Sequence, residues 1–94
     1  MKIRWLNRAT ESLIAIHNHI ADDNPAAAKR SALRVRVATE RLAMFLLSGR
    51  WGEVAGTREL VVSGTPYIVT NRIIGEEVQI LRVFHDARQR QFVS

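Results

Sequence analysis

Hydrophobic and polar positions recur with two different periods along this chain, and each change of period marks a change of element. Ile3 and Trp5 alternate with Lys2 and Arg4, so Lys2–Trp5 reads as a short edge strand. The spacing then lengthens. Ala9, Leu13, Ile16 and Ile20 form one stripe of a helix that Asn7 is placed to cap and that ends near Asp22 and Asp23. Asn24 and Pro25 restart the chain, asparagine as a cap and proline at the first helical position, where its missing N–H costs nothing. The second helix carries Ala28, Ala32, Val35, Leu42 and Leu46 on one stripe, with Phe45 beside it, and Ser48-Gly49 is its expected end. So short a linker makes the two helices an antiparallel hairpin, which the alanines let close tightly.

After a loop over 50–57 the two-residue period returns. Arg58–Ser63, Tyr67–Ile74 and Val78–His85 read as three strands, turned by Gly64-Thr65-Pro66 and by Gly75-Glu76. In the last of them, strict alternation puts Leu81 and Val83 on one face and Ile80 and Phe84 on the other. Apolar side chains on both faces predict a central strand. The polar tail 86–94 is assigned to no element. The expected fold is α+β: an N-terminal strand and a two-helix hairpin packed on a small antiparallel sheet, in the order β-α-α-β-β-β, as one domain over 1–94.

Composition narrows the class. With 47% hydrophobic residues the chain can bury a core, and without cysteine it can form neither disulfides nor thiolate metal sites, which suits a reducing cytoplasm. The first residues, Met1 to Leu6, are too broken by charge for a signal peptide, and no apolar run reaches the length of a membrane helix. A cytoplasmic domain with no membrane association is expected. The net charge of +5 is uneven: residues 1–50 hold nine Lys/Arg against four Asp/Glu, and residues 51–94 hold five against five. A basic first half attracts polyanions or an acidic protein partner, and serves equally as a solubilising helix face.

Arg58 opens the first strand of the meander, and Arg82, His85 and Arg88 lie in or just after the last. Gathered on one face or at one end of the sheet, they could bind an RNA backbone and assist cleavage by proton transfer, because arginine forks recognise phosphate and histidine titrates near neutrality. Arg82 could instead pair with a carboxylate such as Glu59, and His85 could simply cap backbone groups. His17 and His19 point to different faces of their helix and cannot share a metal; no metal or other cofactor is implied. Trp51 is expected to close over the core, the alternative being an exposed stacking platform. Tyr67 is expected to pack. Arg30, Arg34 and Arg41 lie along one face of the second helix, with Arg36 elsewhere.

Several segments together resemble the RelE/ParE superfamily of bacterial toxins. The turn Ile20-Ala21-Asp22-Asp23-Asn24-Pro25-Ala26-Ala27-Ala28 is similar to the family's helix-hairpin turn. Gly56-Thr57-Arg58-Glu59-Leu60, Thr65-Pro66-Tyr67-Ile68-Val69 and Leu81-Arg82-Val83-Phe84-His85-Asp86-Ala87-Arg88 look like its strand signatures. The resemblance implies the toxin of a type II toxin–antitoxin pair, in a hetero-oligomer with an antitoxin that wraps it and holds it inactive.

Two mechanisms divide the superfamily. RelE-type toxins cut mRNA in the ribosomal decoding site with basic residues and often a tyrosine near the C-terminus, whereas ParE-type toxins block DNA gyrase. This chain has Ile68 where RelE-like enzymes tend to carry arginine, one basic residue (Arg58) in the strand at 58–62, and Phe92 but no tyrosine after Arg88. The resemblance therefore leans toward a ParE-like gyrase inhibitor acting by protein binding, with Arg58, Arg82 and Arg88 as target contacts. The alternative is a ribosome-dependent endoribonuclease using Arg58, Arg88 and His85. The antitoxin is expected to be an acidic segment received by Arg30 and Arg34.

Overall fold

The computed structural model describes residues 1–85, so Arg88 and Phe92 lie outside the described residues. Strand β1 (Lys2–Trp5) leads into helix α1 (Asn7–Asp23) and helix α2 (Pro25–Arg41). Strands β2 (Arg50–Trp51), β3 (Arg58–Val61), β4 (Tyr67–Ile74) and β5 (Glu77–His85) follow. They form one sheet in the order β1-β5-β4-β3-β2; β5 is an interior strand, between β1 and β4, as its two-sided apolar pattern predicts, while the middle strand is β4. Strand β1 runs parallel to β5, and the other pairs are antiparallel, so the sheet is mixed. The helical hairpin is what allows this: it carries the chain from β1 through the helix layer, and the meander brings β5 back alongside.

One face of the sheet and the inner stripes of the helices make the core. Val35 and Leu42 pack with Ala9, Val69, Val78, Ile80 and Val83, flanked by Ile3, Trp5, Leu13 and Leu60. Tyr67 is buried among them, a packing residue as its sequence position suggests. No helix among the described residues is long and apolar enough to cross a membrane.

Several local expectations change. Asn7 is the first helical residue and Leu6 takes the cap position, without a side-chain cap bond, because β1 ends one residue before the helix and Leu6 N–H donates to the Ile80 carbonyl. Asn24 does cap α2, its Oδ1 accepting from Ala27 N–H at 3.1 Å. Helix α2 ends at Arg41 and not at Ser48-Gly49. Its backbone bonds tighten to the i→i−3 pattern at Leu42, Ala43 and Met44, and the Thr39 hydroxyl donates to the Arg36 carbonyl beside that change.

The expected 50–57 loop contains the two-residue strand β2, which sequence period cannot register at that length. It approaches β3 closely enough that a Cβ on Gly49 would lie 2.7 Å from the Glu59 carbonyl oxygen.

The largest correction is in β5. Thr70 pairs with Arg82 but Asn71 pairs with Ile80, so Leu81 is an extra residue in a β-bulge. The bulge reverses the alternation. Ile80 and Val83 share the helix-facing side, and Arg82 and Phe84 share the other. Continued without the bulge, the pattern of Val78 and Ile80 would have driven Arg82 into the core, where an unpaired charge is costly.

Candidate functional site

The sheet face turned away from the helices is a mixed surface. Across β4 and β5 it carries the paired positions Ile68 and Phe84, Thr70 and Arg82, Arg72 and Gln79, and Ile74 and Glu77. Ile68 and Phe84 are buried, and the exposed Arg82 guanidinium lies 5.2 Å from the Phe84 ring centre. No carboxylate among the described residues pairs with Arg82. Glu59, on the same face, receives Arg50 Nε at 3.3 Å instead.

Further along this face Arg72 Nε donates to Gln79 Oε1 at 2.9 Å, Gln79 Nε2 donates to Glu77 Oε1 at 2.8 Å, and Arg4 stands 3.5 Å from the same carboxylate. The Gln79 hydrogen bond, joined by the charges of Arg4 and Lys2, holds the Glu77 carboxyl below the usual glutamate range despite partial desolvation. The result is a chain of two arginines, one amide and one carboxylate across three strands.

A groove of about 720 Å³ lies between α2 and the outer edge of the sheet. Leu33, Val37, Ala38, Phe45, Leu60 and Val61 supply apolar lining, and Arg30, Arg34 and Arg41 set cations along it. Its sheet side is a strand edge. Gly52 N–H donates to the Thr57 carbonyl and β2 covers Arg58 and Glu59, while Val62 N–H turns inward to the Tyr67 carbonyl. Alternate residues of an antiparallel strand address opposite neighbours, so the Val61 N–H and C=O point outward, past the end of β2. Among the described residues no strand pairs with them there.

The family description "ParE toxin of type II toxin-antitoxin system, parDE" matches residues 3–90, which spans both the groove and the meander. The chain belongs to the ParE toxin family.

This ParE-family toxin is 42% identical over 88 residues to Y4kP of Sinorhizobium fredii, covering 94% of this chain and 91% of that protein. It is 38% identical over 87 residues to Toxin RelE2 of Caulobacter vibrioides, covering 93% and 97%. Among solved structures it resembles a chain of the chromosomal ParDE system from P. aeruginosa, with TM-score 0.83, 28% identity, and 90% and 95% of the two chains covered. It also resembles a chain of the RelBE2 toxin–antitoxin complex from Mycobacterium tuberculosis, with TM-score 0.58, 25% identity, and 89% and 88% covered. The protein is a toxin of a type II toxin–antitoxin system, in the ParE/RelE family.

Within the ParE-like fold, among the described residues, Arg58, Arg82 and His85 do not gather. Arg58 is on the helix-facing side, where its guanidinium sits 4.0 Å from the Trp51 ring centre and Nη1 donates to the Gly49 carbonyl at 2.9 Å. Arg82 is on the opposite face. His85 is on the helix-facing side at the far end of β5, its ring edge-on to Tyr67 at 5.7 Å. Tyr67, opposite His85, and Asn71, opposite Arg58, are four residues apart on β4, a distance of roughly 13 Å along a strand.

Trp51 does not close over the core; it is 70% exposed, because pairing with β3 sets it on the rim of the sheet with Arg58 against it. Arg30, Arg34 and Arg41 do share one face, as the helical spacing predicts, and Arg34 also reaches the Ser63 carbonyl. Sequence reasoning missed the groove's strand edge and the polar chain through Gln79. Neither has a signal in periodicity, since both depend on where β2 stops and on which residues cross-strand pairing brings together.

Proposed function

We propose that this toxin arrests growth as a gyrase inhibitor, by binding its target and not by cutting RNA, and that its antitoxin docks in the groove. The observation that carries the first part is the separation of Arg58 and His85 from Arg82. Phosphoryl chemistry needs cations and a proton carrier converging on one phosphate, whereas the described residues present Arg82, Arg72 and Arg4 as a spread surface beside Phe84. A spread of arginines next to an aromatic residue suits a protein interface. The similarity to the ParDE chain, at TM-score 0.83 against 0.58 for RelBE2, supports the same branch.

For the antitoxin, an apolar groove lined by Arg30, Arg34 and Arg41 beside an unpaired strand edge favours an acidic, partly apolar segment that docks by side chains and by backbone pairing. The 38% identity to Toxin RelE2 keeps one second reading in view, ribosome-dependent mRNA cleavage. In that reading Arg88 and Arg58 stabilise phosphate charge and His85 moves the proton.

One pair of assays separates the two. Antitoxin-free protein is tested in a gyrase supercoiling reaction and in a ribosome-programmed mRNA cleavage reaction. Supercoiling loss with intact mRNA is expected. Cleaved mRNA with unaffected gyrase would overturn the proposal.

A further inference from the structure

Strand β1 accompanies β5 only to Trp5 and Ile80, and the chain then leaves the sheet as Leu6 N–H closes on the Ile80 carbonyl. Beyond that point, among the described residues, no strand pairs with the β1 side of β5. Val83 falls at a position of β5 that addresses this side, since its neighbours Arg82 and Phe84 address β4. Its N–H is met instead by a helix. Ser12 Oγ of α1 accepts from Val83 N–H at 3.0 Å while its own proton goes to the Ala9 carbonyl at 2.9 Å. The hydroxyl thus uses donor and acceptor together, in a half-buried position, and takes the place of a backbone carbonyl.

This contact falls two residues after the bulged Leu81. A bulge fixes a face only if the strand after it is held in the shifted register; otherwise the extra residue can migrate and every later side chain changes sides. We infer that Ser12 is the positioning residue of the target-facing surface: by holding Val83 N–H it keeps the bulge at Leu81 and makes Arg82 and Phe84 emerge away from the helices. The inference rests on the reading that this face contacts the target. It assigns to a helix residue on the far side of the sheet a part in target recognition that no contact of its own would reveal.

The test compares Ser12→Thr, which keeps the hydroxyl, with Ser12→Val, of the same shape without it, and with Ser12→Ala. All are made in the full chain, alone and combined with Arg82→Ala. Supercoiling inhibition and antitoxin affinity are measured together with amide hydrogen exchange at Val83 and the Thr70–Arg82 cross-strand contact by NMR. Ser12→Val and Ser12→Ala are expected to lose inhibition by roughly tenfold and to speed exchange at Val83 while binding antitoxin normally, with Ser12→Thr near the parent. In the Arg82→Ala background they should add little, because residues acting through one another are not additive.

Full additivity with Arg82→Ala, or an unchanged Thr70–Arg82 contact in Ser12→Val, would overturn the inference. Arg82→Ala that leaves inhibition intact would remove the target-facing reading instead. The NMR contact then still decides whether Ser12 sets the face: its loss in Ser12→Val upholds that role, and its persistence ends it.

Discussion

The guanidinium of Arg58 lies 4.0 Å from the centre of the Trp51 ring and at the same time donates to the Gly49 carbonyl. Together these contacts tie β2 to β3 across a strand pair only two residues long. Trp51→Ala should therefore cost about 1 kcal/mol, the size of a partly exposed cation–π contact. Arg58→Ala, which also releases the Gly49 carbonyl, should cost about 2 kcal/mol. Urea midpoints of the two variants and their double test this; strict additivity would mean that the stack contributes nothing.

Gly64 and Gly75 offer a matched pair of turns. Both have positive φ, +78° and +59°, but a Cβ on Gly64 would lie 2.5 Å from Arg34 Nη1, whereas a Cβ on Gly75 meets nothing within 4 Å. Alanine at either should cost about 1 kcal/mol from backbone strain. Gly64→Ala should cost about 0.5 kcal/mol more by displacing Arg34 from the Ser63 carbonyl. That excess should vanish when Arg34→Ala is already present, as read from thermal or urea unfolding.

Charge reversal of the groove arginines tests the antitoxin site. Arg30→Glu combined with Arg41→Glu leaves the Arg34 contact to Ser63 intact and should weaken antitoxin binding roughly tenfold at low salt, mainly through slower association. The slope of affinity against salt should flatten as well. Unchanged affinity and slope in a titration series would move the docking site elsewhere.

Glu77 gives the pH dependence a sign. Its carboxyl is held below the usual glutamate range, first by the Gln79 amide and then by Arg4. A folded-state pKa below the unfolded one contributes stability above the unfolded value, and that contribution is lost as pH falls through the folded value. Acid should therefore destabilise the parent more than Glu77→Gln. By NMR titration, Gln79→Ala should raise the Glu77 pKa further than Arg4→Ala does.

Much of the fold was legible in the sequence because apolar periodicity records which face of an element is buried. Ala9 and Val35 on the helices, and Leu42 just past the end of α2, all lie in the core that their spacing implied. Tyr67–Ile74 has the bounds expected from its turns. The candidate site was less legible, for one physical reason. Alternation beyond Ile80 assumes one residue per step, and the bulge at Leu81 spends two, so Val83 joined Ile80 and Arg82 moved to the other face. No side chain near Leu81 announces this; the Ser12 hydroxyl that meets Val83 N–H just beyond the bulge is 71 residues from Val83 in the sequence. Trp51 was misjudged for a similar reason, since β2 is too short to show a period and its pairing with β3 decides where the indole goes.

Because β2 covers β3 only as far as Glu59, the described residues leave a strand edge uncovered beside the exposed side chains of Leu33, Phe45 and Val61, the edge proposed to receive the antitoxin. Such edges template further strand pairing. Free toxin is then consumed by two competing second-order encounters, one with its target and one with another copy of itself. The first dominates when molecules are few, and the second grows with the square of their number. Growth arrest should accordingly rise less than proportionally with expression, and recovery of antitoxin-free protein should fall as its concentration climbs.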